Sequence, residues 1–289
     1  MEIWFKAEKD SEFLGNGELF SFYNGTKTGN NSKYIVDEKE SDICKPVLRG
    51  KDFYRYLLQP HKKFIVFDKE NLWSNTNDSH FIVDSKLLIR RTSDHLAVAY
   101  DNNQSYVLDT VHLLYSNTEN YKNSYLLALL NSKLFHLLYR LIVPEGGKAF
   151  AEVKITNLKN LPIKKCEISQ QELIGKKALK IQEFNRELYE FSQILLNLLQ
   201  SKFDIDKLSR KLENWHDLTF KQFLKELKKK KVKLSLSQEA EWMVYFNEQK
   251  AKADELKSQI EQTDREIDAM VYELYGLGGE EVKVVEGKY

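Results

Sequence analysis

The chain has 289 residues, room for one large domain or two ordinary ones at about 100 to 200 residues each. Hydrophobic residues make up 42% and aromatics 12%, which excludes a disordered or collagen-like polypeptide. Lysine and arginine number 44 against 43 acidic residues, so a histone-like polycation is excluded and any nucleic-acid face must be a local pattern on a neutral whole.

Cys44 and Cys166 are far apart, with no second ligand at metal spacing. A disulfide framework and a cysteine-based zinc site are therefore ruled out, and a reducing compartment fits. The N-terminus Met1 to Lys6 lacks a basic region followed by an apolar core, and the most apolar stretch, Tyr125 to Val143, is interrupted by Asn131, Lys133, His136 and Arg140. These features predict a cytoplasmic chain with no membrane partner.

All four prolines, Pro46, Pro60, Pro144 and Pro162, lie at or before position 162, as do most glycines. This shift in punctuation predicts two domains, 1–165 and 166–289. In the first, Lys33-Tyr34-Ile35-Val36, Phe64 to Phe67, Phe81-Ile82-Val83, Leu87-Leu88-Ile89 and Leu96 to Tyr100 read as strands. One helix, Ser124 to Leu141, interrupts them, and its eight leucines leave it apolar around much of its circumference, as a core helix under the sheet would be. In the second, Ile174, Ile181, Leu188 and Leu195 recur every seventh residue, with Phe184, Phe191 and Leu198 in the companion register. Phe246, Ala253, Ile260, Ile267 and Leu274 repeat the pattern, accompanied by Trp242, Leu256 and Met270, with Thr263 as the polar exception. Matched heptads predict two long helices packed antiparallel. Short helices fill the tip between Asp204 and Leu236, one starting at a Thr219/Gln222 capping box, and Gly276 ends the arm. The expected fold class is α+β: a mixed strand-rich domain followed by an antiparallel coiled-coil hairpin.

A P-loop, a Rossmann glycine fingerprint, a nucleophile elbow and an HExxH helix are absent. Glu152-Val153-Lys154 reads either as the acid-x-lysine end of a metal-dependent nuclease or as a plain edge strand; no Pro-Asp partner precedes it. The six histidines are scattered, without an i, i+4 pair, so no catalytic or metal-binding residue is assigned. The run Lys228 to Lys231 suits either a phosphate backbone or a solvated helix face. More informative is the loop Lys27 to Lys33, rich in short donors and acceptors, followed by Arg90 and Arg91, whose forked guanidinium groups match guanine N7 and O6. Glu145-Gly146-Gly147-Lys148 would let backbone approach a phosphate. Each loop alone also reads as a solvated hairpin tip. Together they nominate Lys27, Thr28, Asn30, Arg90, Arg91 and Lys148 as DNA-binding residues.

Gly25-Thr26-Lys27-Thr28-Gly29-Asn30-Asn31, then Lys45-Pro46-Val47-Leu48-Arg49-Gly50-Lys51-Asp52-Phe53-Tyr54-Arg55-Tyr56, then Leu88 to Thr92, resemble in content and order the target-recognition region of type IIG restriction-modification enzymes and TaqI-like adenine methyltransferases. Tyr125 to Lys133, Val153 to Ile163 and the ending Glu266 to Leu277 are similar to later parts of that region. The resemblance implies a specificity module whose partners are double-stranded DNA and a methyltransferase or nuclease catalytic region in cis or in trans, with a second copy of the chain possible. In the family, an S-adenosylmethionine loop and an Asn-Pro-Pro-Tyr-type motif precede this region. Neither motif is present, so S-adenosylmethionine and Mg²⁺ are implied for the catalytic partner and no cofactor for this chain, which looks non-catalytic. A helical-arm scaffold that binds proteins and no DNA is the alternative.

Overall fold

A computed structural model describes residues 2–93, 95–143 and 152–287. In chain order the strand-rich part contains α1 (Glu2–Glu8), β1 (Ser11–Phe13), β2 (Phe20–Asn24), α2 (Asn31–Tyr34), β3 (Ile35–Val36), β4 (Cys44–Leu48), β5 (Phe53–Tyr54), β6 (Leu57–Leu58), β7 (Phe64–Val66), β8 (Lys86–Arg90), β9 (Val98–Asp101), β10 (Tyr106–Val107) and β11 (Val111–Ser116). Then come α3 (Asn123–Asn131), α4 (Lys133–Ile142), α5 (Ile155–Leu158) and β12 (Pro162–Lys164). The helical part is α6 (Ile168–Phe203), α7 (Arg210–Glu213), α8 (Phe220–Lys229), α9 (Leu236–Leu274) and α10 (Gly279–Val285). The fold is mixed α+β, strand-rich sheets first and then long helices, with α6 and α9 antiparallel.

Two four-stranded sheets, ordered β10-β4-β7-β3 and β2-β11-β8-β9, share one apolar core that takes Val47 and Ile65 from the first and Leu88, Ala99 and Leu113 from the second. In β8 the alternate residues Leu87 and Ile89 are equally buried, so this strand is covered on both faces. Helix α3 packs on β8 and β9 and is buried from Tyr125 to Asn131. Strand β9 is the free edge of its sheet, and side-chain amides close it. Asn131 accepts from Val98 N (3.1 Å) and donates to Val98 O (2.9 Å), and Gln182 does the same for Tyr100 at 2.8 Å each way. Both exposed edge groups at each position are thereby satisfied.

The single helix expected from Ser124 to Leu141 is two helices. Ser132 is extended (ψ 156°), its hydroxyl donating to Leu129 O (2.7 Å) and accepting from Phe135 N (3.3 Å), so it ends one helix and caps the next. Leucines on both sides of the break masked it. Phe81-Ile82-Val83 is not a strand; Phe81 follows a one-turn 3₁₀ helix and is a buried core residue. Tyr34 ends α2, leaving only Ile35 and Val36 of the first expected strand. Glu152 to Lys154 is not an edge strand either, and Lys154 leads into α5.

The chain packs as two compact units, Met1–Gln182 with Thr263–Tyr289, and Glu183–Gln262. In the second, Leu195, Leu199, Phe246 and Ala253 share one apolar core with Trp215, which is fully buried and donates through Nε1 to Ser192 Oγ (2.9 Å). Along the seam Ile174, Ile181, Leu195, Phe246, Ala253 and Ile267 are buried as the heptads predict. The companion positions lie one residue further on: Leu199 and Val271, four residues after the buried Leu195 and Ile267, take the places expected for Leu198 and Met270. Thr219 and Gln222 form the capping box, and Gly276 takes φ 65° just past α9.

Candidate nucleic-acid interface

The segment Val107 to Val111 is bonded on several sides by residues distant in sequence. Thr26 N donates to Val107 O (2.8 Å), Asp109 N to Thr26 O (3.0 Å) and Gly25 N to Val111 O (2.8 Å). Leu108 N donates to Leu48 O (3.0 Å), Gly50 N to Thr110 Oγ1 (3.0 Å) and Arg91 N to Thr110 O (3.0 Å). Five residues thus fasten the Gly25–Asn31 loop, the turn after β4 and the end of β8 to one strut. Gly25 is glycine because a Cβ there would lie 2.1 Å from Leu108 O.

The nominated residues differ in what this leaves free. Lys27 is exposed, its Nζ 5.4 Å from the centre of the Trp73 ring. Thr28 is 3% exposed, its hydroxyl 2.6 Å from Asn31 Oδ1, so it braces the loop from within. Asn30 is exposed and caps α2, its Oδ1 accepting from Lys33 N (3.2 Å). Arg90 lies over the half-exposed Tyr54 ring at 5.4 Å, and its buried Nε has no hydrogen-bond partner among the described residues. Arg91 is occupied: Nε donates to Glu152 (2.6 Å) and Nη1 to Asp109 O (3.0 Å). Lys148 lies outside the described residues. In the second unit, Lys229 of the lysine run is paired with Glu226 at 2.6 Å.

Arg91 O accepts from Val153 N (2.7 Å), and His112 Nε2 lies 2.7 Å from Val153 O. Burial lowers the His112 pKa, so the neutral ring donates to that carbonyl. Glu152 is therefore an ion-pair partner on a pinned strand of backbone. Among the described residues no three His, Cys, Asp or Glu side chains group as metal ligands.

A second loop, Trp73 to His80, lies against the first, and sequence reading passed it over. Trp73 N donates to Lys27 O (2.8 Å), Lys27 N to Ser74 O (3.3 Å), Thr26 Oγ1 to Asn75 O (2.9 Å) and Asn75 Nδ2 to Asn24 O (2.5 Å). His80 stacks on Tyr23 at 3.6 Å, with Nδ1 2.5 Å from Asn75 Oδ1. The available signal was the run Ser74-Asn75-Thr76-Asn77-Asp78-Ser79-His80, as rich in short polar side chains as the loop that was singled out.

Residues 45–163 match the sequence model of a TaqI-like C-terminal specificity domain. These residues are similar to that family. Residues 167–271 match a second model, a domain of unknown function (DUF8810). The loop Gly25 to Asn31 precedes the specificity-domain match. No curated protein matches the chain. Among solved structures, the type IIL restriction-modification enzyme MmeI in complex with DNA shares the fold, with TM-score 0.50 and 12% identity over 90% of this chain and 33% of that one. The type IIG restriction endonuclease BpuSI aligns with TM-score 0.40 and 11% identity over 95% of this chain and 33% of that one. The chain thus spans about a third of the length of each. Among the described residues no helix is long and apolar enough to cross a membrane.

Proposed function

We propose that the chain is a sequence-specific DNA recognition module that positions a methyltransferase or endonuclease catalytic region, supplied in cis or in trans. The observation that carries the reading is the Val107–Val111 strut, which gathers three cation-bearing segments, two of them within the residues that match a TaqI-like specificity domain. MmeI, whose fold is similar, was solved with DNA. Lys27, Asn30 and Arg90 are the proposed contacts; Thr28 and Arg91 hold the loops that carry them. S-adenosylmethionine and Mg²⁺ belong, in this reading, to the catalytic region.

The scaffold alternative draws on Ile194, Met243 and Val244, which are 64%, 46% and 58% exposed on the helical arm. Duplex binding against salt separates the two. A module that neutralises phosphates loses affinity linearly in log salt, and Lys27→Ala lowers that slope by about one. Enrichment of one sequence from a randomised duplex pool supports recognition. Absence of any salt-dependent binding supports the scaffold.

A further inference from the structure

The largest exposed aromatic surface beside the Lys27 loop is Trp73, which is 69% exposed. Its N–H donates to Lys27 O, the carbonyl of the following Ser74 accepts from Lys27 N, and the preceding Leu72 is buried. Its indole lies so close to Gly29 that a Cβ there would be 2.2 Å from Cε2 and Nε1, and Gly29 also takes φ 72°, so glycine suits the position on both counts. The Lys27 ammonium sits over the ring. A tryptophan held in one place yet open to water has lost much of its conformational entropy before it meets anything, which lowers the cost of using it as a contact. Beside it stand a cation at Lys27 and the polar Asn30, so the surface that fits combines negative charge with apolar faces.

We propose that Trp73 is the apolar DNA contact of this face, its indole packing on a deoxyribose or base surface while Lys27 meets the neighbouring phosphate. This rests on the DNA-recognition reading and names a residue outside the sequence-nominated set. The second loop then has a role of its own: Asn75 and His80 hold Trp73 against the first loop.

The test uses the whole 289-residue chain and the duplex enriched from a randomised pool, titrated at several salt concentrations. Trp73→Ala is expected to weaken binding about tenfold at every salt concentration with the salt slope unchanged, because the lost contact carries no charge. Trp73→Phe keeps an aromatic face and loses less. The emission difference between parent and Trp73→Phe isolates this indole from Trp4, Trp215 and Trp242, and it changes when duplex is added. That readout decides the matter if the alanine variant folds poorly. Unchanged affinity in the alanine variant, or a difference emission that duplex does not move, overturns the proposal and leaves the recognition reading standing. A parent chain that binds no duplex in a salt-dependent way overturns both.

Discussion

Arg55 grips Asp264 with both terminal nitrogens of its guanidinium, Nη1 at 2.9 Å from one carboxylate oxygen and Nη2 at 2.6 Å from the other. The same guanidinium donates to Asn131 O through Nε (3.0 Å) and Nη2 (2.6 Å), so one side chain ties the β5–β6 turn, the end of α3 and α9 within the first unit. Tyr56, at the turn, takes φ 57° and is buried beneath the guanidinium. A conformation that costs a non-glycine residue energy persists only where its surroundings hold it.

Asp264→Ala is therefore expected to lower unfolding free energy by about 2 to 3 kcal/mol, since the guanidinium loses its forked partner while three quarters buried. Arg55→Lys keeps the charge and loses the fork, so it does not restore the parent value. Urea unfolding midpoints of the parent and both variants give the answer. Midpoints within error of the parent would show the clasp to be decorative.

Gly25→Ala should cost about 2 kcal/mol or more, because Leu108 O at 2.1 Å from the new Cβ is backbone and has no rotamer to retreat into. Gly17→Ala, which meets nothing within 4 Å, is the matched control. If the strut organises the DNA face, Gly25→Ala also weakens duplex binding where Gly17→Ala does not. Thermal melts and one titration of each variant check both statements.

The long helices were legible in sequence because a seam is local: Ile174, Ile181 and Leu195 state their own period, and Gly276 states where α9 stops. The choice of Leu199 and Val271 over Leu198 and Met270 was not, since residues three and four positions after Leu195 and Ile267 lie on the same helix face and each pair offers two apolar side chains. Ser132 was hidden among leucines because the break depends on Asn131 reaching Val98 and Lys133 N reaching Asp268, neither of which is near in sequence. The same holds for the candidate site. Its first loop was visible as a composition anomaly, whereas Trp73 acquires meaning only by pairing with Lys27 from one loop to the other.

Stability should fall as pH drops from 6.5 toward 4. Burial, helped by the nearby Arg55 guanidinium, pushes the His136 pKa down from 6.5 to about 4, so the folded chain holds this ring neutral. Between those values the unfolded chain binds the proton more readily, and ΔG of unfolding rises with pH. His136 thus contributes stability that is fully present above 6.5 and is lost as pH falls toward its folded value, by about 3 kcal/mol at most. His61, His112 and His216 are lowered too, first by burial, and act in the same direction. His136→Gln should flatten the dependence between pH 5 and 7 relative to the parent, and a parallel pair of curves would place the acid sensitivity elsewhere.

Adjacent arginines with different partners should give different phenotypes. Arg91 spends its guanidinium on Glu152 and Asp109 O and its backbone on Thr110 and Val153. Arg91→Ala therefore removes a brace: the Glu152 pair is more than a third exposed and contributes little by itself, but the Asp109 carbonyl loses a charged donor, for a stability loss of about 1 kcal/mol. Arg90 leans on Tyr54, and its fork has no carboxylate partner among the described residues. Its removal should leave the melting temperature nearly unchanged while costing about 1 to 3 kcal/mol of discrimination between the preferred duplex and one altered at a single base pair. Competition titrations with single-substitution duplexes, run beside thermal melts, separate the outcomes. Arg90→Ala should flatten preference at one position, and Arg91→Ala should lower the melt and weaken all duplexes together. If the two behave alike, or if their effects are exchanged, the assignment of Arg90 to base contact and Arg91 to loop support is wrong.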